Sequence, residues 1–389
     1  MTDTATRRSE PSHARTRARI RSAGGRRSAF LLVIVSMLLI IGLGAMLSAS
    51  SVVSISSSAD SDQFRLFTKQ VLWVGLGLSA LVIAAYVPYG LWRRIALPVY
   101  VAVVAGLILT VFIGDVRGGA ARWIVVGPIT IQVAEFAKFA TLSLLAALLT
   151  KKRDLLGDFR HVVIPVGALL GIVAILLLAQ PDFGNMLLIV VPAFIVLAAS
   201  TVPLRFVFGI GALGTLGMTA LAMSAEYRKA RLLSFLNPFD YAQGSGLQAV
   251  QSMVALGTGG FFGVGLGQSR ARWSWLPNAH TDFIFAIIGE ETGFAGAIIV
   301  VTLFAMLASV GVSIAYRAPD MYGRLLAIGI VSWLSIQALV NIGGVVAVLP
   351  ITGVPLPFIS SGGNAMLVNL FAIGVLLNIA RARGVESES

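Results

Sequence analysis

The chain has no cysteine and very little charge. Without cysteine, a disulfide framework, a thiolate metal site and a cysteine nucleophile are all excluded. Only 12% of the 389 residues are charged and 57% are hydrophobic, whereas a soluble domain has about 25% charged residues. The composition therefore predicts a protein that is embedded in a lipid bilayer.

The charges that are present are mostly positive, and many of them lie at one end of the chain. Eight of the 29 Lys and Arg residues lie in residues 1–28, directly before the first apolar run. This distribution is typical of a cytoplasmic tail. Because the segment has almost no large apolar residues, we expect it to be disordered. The net charge of +12 is not accompanied by a basic face with interleaved aromatic residues, so we predict no nucleic-acid partner.

Apolar runs of membrane-spanning length recur along the chain. We expect ten spans, at about 29–50, 69–87, 95–113, 130–150, 162–179, 183–200, 206–224, 282–315, 325–349 and 364–380. An even number of spans, with Lys and Arg in the short inner connections, places both termini in the cytoplasm. The sequence thus predicts an all-α polytopic protein of the cytoplasmic membrane, with a membrane domain at 29–380 and a short cytoplasmic tail at 381–389.

One connection, residues 225–281, is much longer than the others and lies between predicted spans 7 and 8, on the outer side. It is basic, and Arg228 and Arg231 are among its cations. Loops of this length without a function are uncommon. The glycine clusters "GTGG" and "GVGLG" favour a folded, re-entrant structure over a flexible tether.

The stretch "LPNAHTDFIFAIIGEE" brings an aspartate, Asp282, to the start of the eighth span. At helical spacing, Ala286, Gly289 and Gly293 lie on the same face as Asp282, and small residues there allow another helix to approach closely. Asp282 should therefore face protein instead of lipid. It is either a general base in a partly dry cleft or the N-cap of the helix. We expect His280 to be a loop or interface residue.

A second acid lies in "EFAK", where Glu135 and Lys138 are three residues apart and share one helix face within the bilayer. Unpaired charges at that depth are costly, so a mutual ion pair that holds helices together is the simpler interpretation. The functional alternative is that Lys138 binds an anionic group of a substrate while Glu135 holds it in place.

Two further polar stretches lie at span ends. "LAQPDFGN" contains Gln180 and Asp182, which form either a turn or a polar cavity wall in which Asp182 is a candidate ligand for a divalent cation. "LPITGVPLPFISSGGN" contains Ser360, Gly362 and Gly363, which form either an anion-binding nest of backbone N–H groups or a hinge in a broken helix.

These stretches together resemble the SEDS family of peptidoglycan polymerases, and its cell-division branch more than its elongation branch. The resemblance is carried by "LPNAHTDFIFAIIGEETGFAG", "QPDFG", "EFAK", "RLLSFLNPFD", "QAVQSMVALGTGGFFGVGLGQS" and "ALVNIGGVVAVLPITGVPLPFISSGG". It covers about residues 30–380. The chain departs from the family pattern at Val133 and Ala134, at Leu247, and at Ser361 and Asn364, but not at Asp282, Glu135 or Lys138.

The resemblance implies a ten-span fold and polymerisation of lipid II at the outer membrane face, with Asp282 as the catalytic base. Undecaprenyl pyrophosphate would leave with inversion at the sugar, assisted by cationic groups or by a divalent cation, Mg or Mn. Substrate contacts are implied or expected at Lys138, Glu135, Arg228, Arg231, Gln180, Asp182, His280, Thr281, Gln251, Ser252, Ser360, Gly362 and Gly363.

The implied partner is a class B penicillin-binding protein, a transpeptidase, together with other proteins of the division septum. Two other functional classes fit parts of the pattern. A lipid II flippase or other transporter would use the intramembrane charges Glu135 and Lys138. A non-catalytic scaffold of a division complex would tolerate replacement of Asp282.

Overall fold

The computed structural model describes residues 11–57, 64–117, 120–127, 129–223, 234–244, 246–270 and 280–382. Within these ranges the fold is almost entirely helical. The α-helices are α1 (Pro11–Ser57), α2 (Arg65–Tyr86), α3 (Tyr89–Ile113), α4 (Val133–Lys151), α5 (Phe159–Ala179), α6 (Phe183–Ala199), α7 (Leu204–Met223), α8 (Leu247–Gly259), α9 (Ile284–Ala315), α10 (Met321–Val345) and α11 (Gly363–Arg381).

Each of the ten expected spans overlaps a helix of its own, namely α1 to α7 and α9 to α11. Eight of these helices are long and apolar enough to cross a membrane, and α6 is apolar but has only 17 residues. The remaining helix, α7, has 20 residues. The prediction of a polytopic helical membrane protein is therefore confirmed.

The beginning of α1 differs from the expectation. We expected residues 1–28 to be disordered, but the backbone of α1 is helical from Pro11 onward, and residues 1–10 lie outside the described ranges. Arg and Ala, which are frequent in this segment, have high helix propensity, so a polar sequence here can extend the helix of the following span.

A small antiparallel sheet connects α3 to α4, which an all-α prediction did not include. Its strands are β1 (Asp115–Arg117), β2 (Ala120–Val126) and β3 (Ile129–Ile131), in the order β1-β2-β3. The Asn364 side chain at the start of α11 donates to the Thr130 carbonyl oxygen at 2.8 Å, which places the sheet at the end of the bundle that also carries Asp282. Two of the strands have only three residues, too few to show a period of two.

Helices α4, α10 and α11 are mostly buried and form the centre of the bundle, whereas α2 and α3 expose most of their surface. A loop of residues 350–362, here called the proline loop because it contains Pro350, Pro355 and Pro357, connects α10 to α11. It lies among the central helices at the Asp282 end. Helix α8, from the predicted outer loop, packs on α9 and α10. The described part of that loop is thus folded onto the bundle.

Candidate active site

Asp282 lies in the turn that precedes α9, at the edge of a small open cleft. Asn341 of α10 and Thr352 and Gly353 of the proline loop are among the other residues that line it. The volume that a water molecule can enter in the cleft is about 10 Å³, whereas ligand sites typically measure about 300–1,000 Å³. A large substrate would therefore occupy the open side of the cleft and would not be enclosed by it.

Asn341 fixes the backbone next to the candidate base. Its Nδ2 atom donates to the carbonyl oxygen of Asp282 and to that of Val354, both at 2.8 Å. One buried side chain thereby ties the turn before α9 to the proline loop. Its Oδ1 atom is buried and has no hydrogen-bond partner among the described residues. An unsatisfied buried acceptor costs about 1–3 kcal/mol, so a water or substrate hydroxyl at this position would be stabilised.

The proline loop supports the same turn from the other side. The Ser361 N–H donates to the His280 carbonyl oxygen at 3.1 Å. Gly353 has φ of +73°, in the left-handed region, and a Cβ atom at this position would lie 3.5 Å from the Asp282 carboxylate. A glycine therefore meets the unusual backbone conformation and leaves space beside the carboxylate.

The helix boundary does not favour Asp282 as the N-cap of α9. The helix begins at Ile284, and the residue in the N-cap position is Phe283. The expected small-residue face is partly present. Gly289 contacts the backbone of Gly259 in α8, so a helix does approach closely there. Gly293, however, has φ of +69° and breaks the helical conformation of α9, so it cannot belong to a continuous stripe.

His280 is partly buried beside the candidate base, and Thr281 between them is also partly exposed. Burial lowers the pKa of the His280 imidazole below its ordinary value of 6.5, because a charged ring loses hydration there. His280 is therefore neutral at physiological pH and adds no positive charge beside Asp282.

The Glu135–Lys138 pair lies within the helix bundle, not at its surface. The Lys138 Nζ atom is 2.6 Å from Glu135 Oε2 and 3.3 Å from Gln337 Oε1, and it lies 5.1 Å from the centre of the Trp333 ring. The Lys138 side chain has no exposed surface. This geometry favours the interpretation as a structural ion pair, since a substrate phosphate cannot reach Lys138 without movement of the helices.

The pair nevertheless connects to the site. The Gln337 Nε2 atom donates to the Pro355 carbonyl oxygen at 2.8 Å, and Gln337 and Asn341 are one helical turn apart on α10. Hydrogen bonds therefore lead from Lys138 through Gln337 to the proline loop. We infer that the pair holds the wall of the cleft in place, so that its effect on Asp282 is indirect.

Gln180 and Asp182 form a turn. The Gln180 Nε2 atom donates to the Leu107 carbonyl oxygen at 2.8 Å. Asp182 is the N-cap of α6, and its carboxylate accepts from the backbone N–H and the side-chain amide of Asn185. Among the described residues no three acids or histidines lie together as metal ligands. Asp182 thus has a structural use as the cap of α6.

The glycine and serine positions also have structural contacts. Ser360 is buried, and its hydroxyl accepts the Leu356 N–H at 2.8 Å. Gly362 is the N-cap of α11, and Gly363 follows against the ring of Trp73, where a side chain would overlap the indole. The start of α11 therefore combines a helix N-terminus with tight packing.

Of the remaining candidates, Ser252 and Gln251 lie within the described residues and the two loop arginines do not. The Ser252 hydroxyl is fully buried and donates to the Ala249 and Val345 carbonyl oxygens at 2.9 Å each, which ties α8 to α10. Gln251 is partly exposed. Arg228 and Arg231 lie outside the described residues.

Three residues near the site, Asn341, Gln337 and Trp333, were not predicted from the sequence. Their spacing could have indicated them, because side chains that can form hydrogen bonds recur there every four positions and so lie on one face of an apolar helix. Polar side chains on one face of a membrane helix usually face protein or a cavity.

The sequence matches a family model described as "Cell cycle protein", the FtsW, RodA and SpoVE model, over residues 29–384. The stage V sporulation protein E of Bacillus subtilis is 39% identical over 354 residues, which cover 90% of this chain and 96% of that protein. A probable peptidoglycan glycosyltransferase FtsW of Geobacter metallireducens is 38% identical over 342 residues, which cover 87% of this chain and 90% of the relative.

Solved structures show the same fold. A chain from a study titled "Structural coordination of polymerization and crosslinking by a peptidoglycan synthase complex" has a TM-score of 0.73 at 27% identity, and the match covers 90% of this chain and 96% of that one. The rod shape determining protein RodA of Thermus thermophilus has a TM-score of 0.67 at 26% identity, over 90% and 95% of the two chains. The resemblance drawn from the motifs is thereby confirmed, and this multi-pass membrane protein belongs to the FtsW/RodA/SpoVE family.

Proposed function

We propose that this protein is a peptidoglycan glycosyltransferase that polymerises lipid II at the outer face of the cytoplasmic membrane. The names of its curated relatives and the synthase complex among its structural neighbours support the reaction class. The single observation that carries the site is Asp282, at an open cleft whose backbone is fixed by Asn341 and by the proline loop.

In the proposed reaction, the Asp282 carboxylate removes the proton from the 4-hydroxyl of the acceptor sugar of lipid II. The oxygen then attacks the anomeric carbon of the lipid-linked glycan donor. The bond from that carbon to the pyrophosphate breaks, and undecaprenyl pyrophosphate leaves with the bonding electrons. A single direct displacement inverts the anomeric configuration. Rigid support of the base matters because about 1 Å of misplacement can cost a factor of about 100 in rate.

The leaving pyrophosphate needs positive charge. Lys138 does not supply it in this conformation, because its ammonium group is fully buried and bonded to Glu135. The sequence offers Arg228 and Arg231 of the outer loop, and a divalent cation would serve the same purpose. We propose that one or more of these groups, and not Lys138, contacts the pyrophosphate.

We further propose that the protein acts at the division septum, with both termini in the cytoplasm and the 225–281 loop outside. Its proposed partner is a single-pass class B penicillin-binding protein, which supplies transpeptidation and activates polymerisation. The flippase alternative would use the intramembrane charges Glu135 and Lys138, which are bonded to each other. The scaffold alternative predicts instead that replacement of Asp282 is tolerated.

The experiment that tests the function supplies purified protein with labelled lipid II, with and without the partner. We expect weak polymerisation by the isolated chain and a clear increase with the partner. Movement of lipid II between leaflets without polymer formation would instead support a transporter. Equal turnover with and without the partner, in several detergents, would contradict activation.

A further inference from the structure

The helical hydrogen bonding of α9 is interrupted at Gly293, and a second segment of the chain supplies the missing partners. A helix would pair the Phe294 and Ala295 N–H groups with carbonyl oxygens four residues earlier in α9. They donate instead to the carbonyl oxygens of Gly260 and Phe261, at 2.9 and 3.1 Å. The loop that follows α8 thus takes the place of two lost helical acceptors.

The same loop also replaces the lost donors. The carbonyl oxygens of Glu290 and Glu291, which an unbroken helix would have used, accept the N–H groups of Val264 and Gly265 at 3.0 and 3.1 Å. These four backbone groups of α9 are therefore satisfied by one segment, as the apolar interior of a membrane requires. We call this set of four hydrogen bonds the splice.

The Glu290 side chain extends the splice toward the site. Its buried carboxylate accepts the Ser269 hydroxyl at 2.5 Å and the Arg270 N–H at 3.0 Å. The next acid, Glu291, turns to another partner and accepts the Ser48 hydroxyl of α1. The two adjacent carboxylates thus fix α9 to two different segments, the Glu290 carboxylate to the outer loop and the Glu291 carboxylate to α1.

We propose that Glu290 is a positioning residue for glycosyl transfer, which acts by holding the outer loop against the first part of α9. The loop leaves this clamp at Arg270 and returns to the bundle at Asp282, where Asn341 holds the backbone. Two points of this connection are thus fixed, Arg270 at the clamp and Asp282 at the cleft. Loss of the clamp removes one of them, and small displacements of a catalytic base are costly. The inference rests on the proposed function.

Glu290 does not contact the cleft, and its use is distinct from that of the Glu135–Lys138 pair. One hydroxyl and one backbone N–H of the outer loop donate to its carboxylate. Charged acceptors form the stronger hydrogen bonds, so a carboxylate clamps a loop more firmly than an amide of the same size.

The test compares Glu290→Gln with Glu291→Gln and with Thr302→Val, a change on the exposed face of α9 beyond the break. Two quantities are measured on folded, partner-bound protein: polymerisation rate against lipid II concentration, and hydrogen exchange at Gly265 and Arg270. For Glu290→Gln we expect faster exchange at Arg270 and a loss of about 10-fold or more in kcat/KM. Thr302→Val should leave both unchanged.

Ser269→Ala adds an independent measure. If the clamp acts as a unit, the double variant with Glu290→Gln loses less activity than the sum of the two single losses in log units. Normal kcat/KM of Glu290→Gln together with faster exchange at Arg270 would overturn the positioning role, and unchanged exchange would overturn the clamp. Full activity of Asp282→Asn would instead overturn the general base, whatever the exchange at Arg270 shows.

Discussion

Glu135 and Asp282 are both acids in an apolar chain, yet the structure treats them differently. Glu135 is buried, 2.6 Å from the Lys138 ammonium group. Asp282 is partly exposed at a cleft and is held through its backbone by Asn341. An acid that is buried with its counter-ion stabilises packing, whereas an acid whose carboxylate lies at an accessible surface can exchange protons with a substrate. The difference favours a structural role for Glu135 and supports the proposed catalytic role of Asp282.

The largest stability effect should follow from breaking the buried pair. Lys138→Ala leaves the Glu135 carboxylate buried without compensation, which costs about 3–5 kcal/mol. We expect a strong loss of folded protein in the membrane and a matching loss of polymerisation. The yield of monodisperse protein after detergent extraction measures the first, and activity per folded molecule measures the second.

Replacing both charges by methionine sharpens the same comparison. An apolar pair of similar volume is often neutral for stability, so the double variant Glu135→Met with Lys138→Met should recover much of the folded yield. Gln337 keeps its bond from the Trp333 indole N–H, at 2.9 Å, in that variant. Activity within a few-fold of wild type is expected. A well-folded but inactive double variant would show that Lys138 does bind substrate.

A smaller effect is expected at Asn341. Asn341→Ala removes two hydrogen bonds, each worth about 0.5–1.5 kcal/mol, between the Asp282 turn and the proline loop. We expect about a 10-fold loss in kcat with folded protein still obtained. Steady-state kinetics on lipid II check this, and Asn185→Ala, in the first turn of α6, is the matched control for loss of a buried amide. An equal loss in both variants would indicate a general effect on packing.

The smallest effect concerns pH. Burial lowers the pKa of His280, so the folded protein disfavours the protonated ring. Stability is therefore complete above the unfolded value of about 6.5 and decreases as the pH falls below it. We expect His280→Gln to reduce the drop in Tm between pH 7.5 and pH 5.5. Identical Tm profiles for the variant and wild type would show that this burial has no effect on stability.

The eight helices that are long and apolar enough to cross a membrane were predictable, because hydropathy over about 20 residues depends on composition alone and not on tertiary contacts. The position of Asp282 at an accessible cleft was also predictable in outline, from an acid placed beside small residues and a long loop. The environment of the Lys138 side chain was not predictable, because a spacing of three residues is the same for a buried ion pair and for a pair that binds substrate. The contacts of Lys138 with Trp333 and Gln337 favour the buried ion pair, and the spacing of the sequence does not reveal them.

The break in α9 was not predictable either. Gly293 fits a helical pattern as a small residue, and nothing in the local sequence shows that residues 260–265 replace its hydrogen bonds. Contacts between segments distant in sequence leave little trace in a single chain. The three strands between α3 and α4 were not predicted for a related reason, since strand pairing and not local periodicity defines them.

The most direct test of the central claim is the amount of glycan polymer formed from lipid II by folded Asp282→Asn protein with its partner bound. Asparagine keeps the size of the side chain, and the backbone anchor from Asn341 is unaffected, so stability should change by about 1 kcal/mol or less. An amide accepts no proton at neutral pH, and we predict that the rate falls by about 100-fold or more. Near-normal polymer yield would contradict Asp282 as the base and would favour a transporter or scaffold.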